Sequence, residues 1–397
     1  MTGNNAFLHI EGCDTDRLFS DVKTPCYVID EKALITNGEI LKSVCDDTGC
    51  RILLAQKAFS NFTLYPLLSQ YINGTEASGL FEARLGYEEM QGKEVHVFCA
   101  GYRSDEFEEL LKYADHIVFN TPTQLRLFGK RAKASGKSIG LRINPECSTQ
   151  EGHEIYDPCA PKSRLGTTRA LWDELMTDEL VSMLDGLHFH TLCEQDADDL
   201  QKTLTAVEEK FSDVLPKMKW LNMGGGHHIT REGYNIGLLK KLITYAQEKW
   251  GVTVYLEPGE AHALNAGYLV TRVLDLIRNG DTDIAILDMS AACHTPDVIE
   301  MPYTPPLYNS GKEGELMYNY RLGCPTCLSG DIVGDYSFDK PLQMGDMLIF
   351  GDMAIYSTCK SNTFNGMALP DILLLKCDRS IEVIKSFDYR DFKNRLG

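Results

Sequence analysis

From residue 51 to residue 266 the chain repeats one unit eight times: a short apolar run of strand length, then a stretch with apolar residues at helical spacing. The runs are 51–57, 74–78, 94–100, 116–120, 138–144, 186–190, 220–224 and 253–257. Helical stretches follow at 62–71, 80–90, 105–113, 123–135, 171–184, 196–211, 238–250 and 261–266. A strand covered on both faces reads as a continuous apolar run, and a helix after every strand makes neighbouring strands parallel. Eight such units close into a (β/α)8 barrel, which we place at 31–266 with the helical segment 31–45 at its start. An open doubly wound sheet is the alternative, but it needs a reversal of strand order that nothing in the spacing marks. Beyond 266 the pattern changes to strands at 268–274, 283–288, 315–321, 347–350, 371–375 and 380–384, separated by Gly, Pro and Asp clusters, and the run 26–29 can join them. The expected fold is therefore α/β, a TIM barrel at 31–266 with a mostly β-strand domain made of 1–30 and 267–397.

Composition narrows the function. A net charge of −18 on 397 residues, with no basic block, argues against a nucleic-acid partner and suits a cationic small substrate, although an acidic surface also serves solubility. No apolar stretch approaches the roughly 20 residues of a membrane span, and the first residues lack the order of a signal peptide. No membrane partner and a cytoplasmic location are expected. Thirteen cysteines, an odd count in a long chain, are expected to stay reduced.

In such a barrel the C-terminal ends of the strands converge on one site, so the residues there are read together. Lys57 ends the first run; a lysine drawn into apolar surroundings is a Schiff-base nucleophile, or one whose head snorkels to water. Gly224, Gly225 and Gly226 end the seventh run, where backbone N–H groups can approach a phosphate, though a glycine triplet also makes a flexible turn. A phosphate cradle and a Schiff-base lysine together indicate pyridoxal 5'-phosphate (PLP). Glu257, ending the eighth run, can face the pyridine nitrogen, and His190, ending the sixth, can stack on the ring. Their ordinary alternatives are a carboxylate met by backbone donors and a core histidine.

These residues lie in Ala55-Gln-Lys-Ala58, Gly186-Leu-His-Phe-His-Thr-Leu-Cys-Glu-Gln195, Asn222-Met-Gly-Gly-Gly-His-His228 and Glu257-Pro-Gly-Glu260, accompanied by Glu76-Ala-Ser-Gly-Leu-Phe-Glu82 and Gly323-Cys-Pro-Thr-Cys-Leu-Ser-Gly-Asp331. Together the motifs resemble the fold type III (alanine racemase-like) PLP-dependent decarboxylases of the ornithine/diaminopimelate class, over nearly the whole chain, and within them the branch that acts on carboxylated polyamines. The resemblance implies a PLP-dependent carboxy-lyase of polyamine biosynthesis, converting carboxynorspermidine to norspermidine, carboxyspermidine to spermidine, or both. It implies that Lys57 holds PLP, His190 stacks on its ring, Gly224 to Gly226 and Tyr356 hold its phosphate, and Glu257 faces the pyridine nitrogen. It also implies a homodimer in which Cys327 reaches the neighbouring subunit's site and returns a proton to Cα.

Cys324 and Cys327 are alternatively a metal or redox pair, but a second pair is missing and the Pro-Thr spacer falls in the β domain, so no metal is expected. Two departures stand out: Glu260 replaces an arginine that helps bind phosphate in relatives of the ornithine and diaminopimelate types, and Leu328 replaces an acid after the cysteine. They leave Glu260 and Asp331 as the expected contacts for substrate. A racemase on the same fold and a decarboxylase-like regulatory binding protein remain as alternatives.

Overall fold

The short runs carry what strands covered on both faces need: Ile52, Leu53, Leu54, Val95, Val97, Ile117, Ile139, Leu141, Leu187, Leu221 and Val254 are all at most 1% exposed. The computed structural model describes residues 5–150 and 156–397. After β1 (Cys26–Asp30) come β2 (Arg51–Ala55), β3 (Gly74–Ala77), β4 (Glu94–Phe98), β5 (His116–Phe119), β6 (Ser138–Arg142), β7 (Gly186–His188), β8 (Trp220–Asn222) and β9 (Thr253–Leu256). Strands β2 to β9 pair in sequence order, all parallel, and β9 closes on β2 to complete the barrel. The open sheet is thereby excluded. Two compact units result, Asn37–His262, which holds the barrel, and a second built from the chain up to Thr36 and from Ala263 onward.

Barrel strands end earlier than their apolar runs: β2 stops at Ala55, β7 at His188 and β8 at Asn222. Lys57, His190 and Gly224 to Gly226 therefore stand on turns just past the ladder, where their backbone and side chains are freed from strand pairing. The helical stretch 171–184 splits into Arg169–Leu175 and Asp178–Met183, because the Thr177 side chain accepts from the Leu180 N–H and starts a new helix. Pro122 at the first turn and the Thr121 side chain, accepting from the Gln124 N–H at 3.2 Å, start the helix Pro122–Ala134 in the same way. Of the polar loop at 145–166, residues 151–155 lie outside the described residues.

The N-terminal end of the barrel is filled by large flat side chains. A Cβ on Gly186 would lie 2.0 Å from the Trp220 ring, and one on Gly140 2.3 Å from it, so glycine at both positions admits the indole. His96 and His116, paired across β4 and β5, stack at 3.9 Å with 13° between their planes. Glu94, His96 and His116 are near enough to suggest a metal centre. The two carboxylate oxygens of Glu94 are already engaged, however, one with His96 Nε2 at 3.0 Å and the other with the Arg51 guanidinium, and the imidazole planes lie nearly parallel in ring-to-ring contact. We read this layer as packing. With that end closed by side chains, access is from the C-terminal end, as in other barrels of this kind.

The second unit is a nine-stranded sheet. Its further strands are β10 (Gly267–Asn279), β11 (Thr282–Leu287), β12 (Gly311–Lys312), β13 (Tyr318–Gly323), β14 (Ile332–Phe338), β15 (Met347–Gly351), β16 (Asp371–Leu375) and β17 (Ile381–Lys385). Their order is β12-β14-β13-β11-β10-β1-β16-β17, with β15 also on β10. β1 runs antiparallel to β10 and parallel to β16, so the first run of the chain does join this sheet. Tyr27, Leu269, Leu287, Leu322 and Phe350 form part of its core. Besides β12 and several one-turn helices, the sequence reading missed β14, whose apolar pattern is interrupted by Gly334 and Asp335, and the helix Tyr389–Leu396, which has no buried residue and rests on a capping box of Asp388 and Asp391. Among the described residues no helix is long and apolar enough to cross a membrane, and no disulfide forms.

Candidate active site

The barrel unit brings Lys57, His190, Gly224 to Gly226 and Glu257 to the C-terminal ends of its strands. Lys57 sits two residues past β2 with a side chain 40% exposed, so the sequence expectation of a buried strand lysine is corrected: it stands on a turn, partly open to water. Its Nζ lies 3.2 Å from Oε2 of Glu76, on β3, whose side chain is 3% exposed. Burial pushes the Glu76 carboxyl up to about 7, with Lys57 pulling it back only in part. Near neutral pH this carboxyl is thus able both to accept and to give up a proton beside the Lys57 amine.

Glu257, directly after β9, is the opposite case. Its Oε1 accepts from Asn222 Nδ2 at 2.6 Å and its Oε2 lies 2.9 Å from His188 Nε2. Burial alone would raise its pKa, but His188 outweighs that cost and the net shift is downward. Burial also pushes the His188 imidazole down, with Glu257 pulling it back only in part, and the charge attraction and hydrogen bond between the two hold Glu257 below the ordinary carboxylate range. His190 is neutral for the same first reason, burial, reinforced by the nearby positive charges of Arg142 and Lys57. Its Nδ1 accepts from the Gly225 N–H at 3.2 Å, which leaves the proton on Nε2 and fixes the ring. Arg142, ending β6, donates to the His190 carbonyl at 3.2 Å and lies over the Phe98 ring at 4.5 Å.

The glycine turn is dictated by close backbone approach. Gly224 and Gly226 have φ of +71° and +79°, and a Cβ on Gly226 would stand 2.1 Å from the Leu192 carbonyl oxygen. On Gly225 it would meet the Glu257 carbonyl oxygen at 2.5 Å. Past the turn, His228 Nε2 lies 2.9 Å from Oε1 of Glu260. Burial disfavours charge on His228, yet Glu260 offsets it and the imidazole pKa ends raised. Glu260 is therefore paired with an imidazole close in sequence to the glycine turn.

An amine, a buried ionised carboxylate, a neutral fixed imidazole and a side-chain-free turn are the set that PLP requires of a protein: a carbonyl-reactive group, a partner for the protonated ring nitrogen, a flat face and room at a phosphate. The residues present fit the cofactor. Four contributors were not singled out from the sequence: Glu76, Arg142, His188 and Asn222. His188 carried a signal, since two positions from His190 on a strand puts both on one face. Arg142 carried another, a cation ending an apolar run just as Lys57 does.

Cys327, Asp331 and Tyr356 belong to the second unit. Cys327 is exposed, and its N–H donates to Asn365 Oδ1 at 2.9 Å. Asp331 is 3% exposed and its carboxylate accepts from Ser290 Oγ at 2.8 Å, Thr326 Oγ1 at 2.5 Å and the Ala292 N–H at 2.9 Å. Within this unit the Asp331 carboxylate is thus held by two hydroxyls and a main-chain N–H of its own chain. Cys324 is sheltered, its thiol pushed far up by burial and its sulfur accepting from the Ala291 N–H at 3.3 Å, which does not suit a metal or redox pair. Tyr356 has a left-handed φ of +57° at the start of the helix Ser357–Lys360.

The sequence pattern of the family described as pyridoxal-dependent decarboxylase, C-terminal sheet domain, matches residues 26–354. The chain is 39% identical to the carboxynorspermidine/carboxyspermidine decarboxylase of Campylobacter jejuni, over 95% of this chain and 99% of that one. It is also 39% identical to the carboxyaminopropylagmatine decarboxylase of Synechocystis, over 95% and 96% respectively. Among solved structures, the crystal structure of carboxynorspermidine decarboxylase complexed with norspermidine from Campylobacter jejuni superposes with a TM-score of 0.87 at 38% identity, over 94% of this chain and all of that one.

Proposed function

The chain belongs to the pyridoxal-dependent decarboxylases, and from that premise we propose that it removes the α-carboxyl group of a carboxylated triamine, carboxynorspermidine to norspermidine, carboxyspermidine to spermidine, or both. The observation that carries this reading is near-full-length similarity to a decarboxylase of that name, together with the fold match to one complexed with norspermidine. A second reading, carboxyaminopropylagmatine as substrate, is favoured by an equal identity to an enzyme of that name. All three substrates share an α-amino acid end and a long cationic arm.

PLP, when bound, supplies a covalent anchor for the substrate amine and a sink for the electron pair left behind as CO2 departs. Lys57 would hold the cofactor, and Glu76 would take or return the proton that its amine must exchange. Glu257, ionised, would face the ring nitrogen and keep it protonated, with Asn222 and His188 fixing the carboxylate. His190 would cover one ring face, its orientation set by Gly225 and its main chain by Arg142. Gly224 to Gly226 and Tyr356 would hold the phosphate. Cys327, proposed to act in the neighbouring subunit of a homodimer, would deliver to Cα the proton that replaces the carboxyl group. The balance is one carboxylated amine and one proton in, one amine and one CO2 out.

Turnover of the two carboxylated triamines, carboxyaminopropylagmatine, ornithine and diaminopimelate should be compared by CO2 release and amine product. One or both carboxylated triamines should give the highest kcat/KM. Preference for ornithine or diaminopimelate would overturn the polyamine reading, preference for carboxyaminopropylagmatine would select the second, and inversion of configuration at Cα without CO2 release would mark a racemase.

A further inference from the structure

The loop that carries Cys327 is tied down from two sides, and both ties lead to one short segment. On the first side, Asp331 closes the loop on itself: its N–H donates to the Leu328 carbonyl at 2.9 Å, and its own carbonyl accepts from the Cys324 N–H at 3.0 Å. Its buried carboxylate then fixes the loop to Ser290 and to the Ala292 N–H, while gripping the hydroxyl of Thr326, the residue before Cys327. On the second side, Asn365 accepts the Cys327 N–H. The turn that holds Asn365 hangs on the same segment, since Asn362 donates from Nδ2 to the Ala292 carbonyl at 2.8 Å and from its N–H to the Cys293 carbonyl at 2.9 Å. Residues 290–293 are thus a common anchor for the segments before and beside the cysteine.

We propose that Asp331 and Asn365 are positioning residues that hold Cys327 where it can deliver its proton, and that neither contacts the substrate. This rests on the reading of Cys327 as the proton donor. A buried carboxylate with three donors costs little while all three are in place, and much once they are left without an acceptor. Asn365 adds a reason for its own identity. Its φ of +58° is a conformation that asparagine tolerates and most residues resist, so it can both shape the turn and offer Oδ1 to Cys327.

Substitution separates positioning from substrate contact. In the holoenzyme, Asp331→Ala removes all three acceptor contacts, whereas Asp331→Asn keeps an amide oxygen for the Ala292 N–H, and the Ser290 and Thr326 hydroxyls can turn to accept from its NH2 group. The expected pattern is a fall in kcat of about tenfold for Ala and recovery to within about threefold of wild type for Asn, with KM for the triamine within about twofold in both. A substrate contact predicts the reverse: Ala and Asn alike lose the charge, and KM rises in both. Asn365→Gly, which keeps the left-handed turn and removes only the side chain, should match Asp331→Ala in kcat. Hydrogen exchange at the Cys327 amide should quicken in Asp331→Ala and in Asn365→Gly. Unchanged exchange and kcat in these two variants overturn the proposal, and the same result in Asn365→Gly alone overturns it even if Asp331→Ala fails to fold. Cys327→Ala distinguishes the underlying reading. If it leaves kcat intact, the proton-donor assignment is wrong and positioning falls with it; if it lowers kcat while the other variants do not, positioning alone is wrong.

Discussion

Two buried carboxylates at the barrel's C-terminal end meet opposite fates, and the difference lies in the neighbours each one has. Glu257 has Asn222 and His188; Glu76 has the half-exposed Lys57. For Glu76 the consequence has a definite sign. Its pKa in the folded chain, about 7, lies above the ordinary 4.5, so between those values the folded state binds more proton than the unfolded state and its contribution to stability falls as pH rises. Glu76→Gln lacks that loss. The difference in Tm between Glu76→Gln and wild type should therefore shift in favour of the variant as pH is raised from about 5 to about 7; a constant difference would show that Glu76 titrates normally. At this scale much of the site was legible. Lys57, His190 and Glu257 each stand at or just past the end of an apolar run, where a polar side chain is conspicuous. The setting of Asp331 was not legible, because a sequence shows a charge but not its partners: two of its three donors come from residues 290 and 292, far back in the chain.

Among the elements, the glycine turn after β8 should tolerate change least. Gly226→Ala puts a methyl group 2.1 Å from a carbonyl oxygen at a φ of +79°, two independent penalties. We expect a loss of about 2–4 kcal/mol, seen as a clear drop in Tm. Gly101→Ala, with nothing within 4 Å of its Cβ, should stay within about 0.5 kcal/mol of wild type. If both behave alike, the tight approach of this turn to the Leu192 backbone is not as described. The repeat of strand and helix was readable because burial on both faces leaves an uninterrupted apolar run. Strand ends were overextended because apolar residues continue beyond the ladder into the packed turns. β14 was missed for the opposite reason: Gly334 and Asp335 break an alternation that its partner β13 nonetheless pairs.

At the scale of the whole molecule, Cys327 and Lys57 lie in different compact units. If each active site draws its lysine from one subunit and its cysteine from the other, mixing inactive Lys57→Ala and Cys327→Ala proteins should restore up to about a quarter of wild-type activity. Half the chains then sit in heterodimers, each with one intact site. Absence of recovery after verified subunit exchange would place the whole site within one chain.

β1 gives the molecule a particular history. It is made first, yet it lies between β10 and β16, and β16 is near the far end of the chain. On the ribosome the barrel segments emerge in between and can close by contacts between neighbours in sequence, while β1 waits. A nascent chain thus carries an apolar strand with both edges open through most of its synthesis, and a transcript truncated before residue 371 leaves one edge open for good. The barrel would then be complete and the product still prone to stick to its own copies.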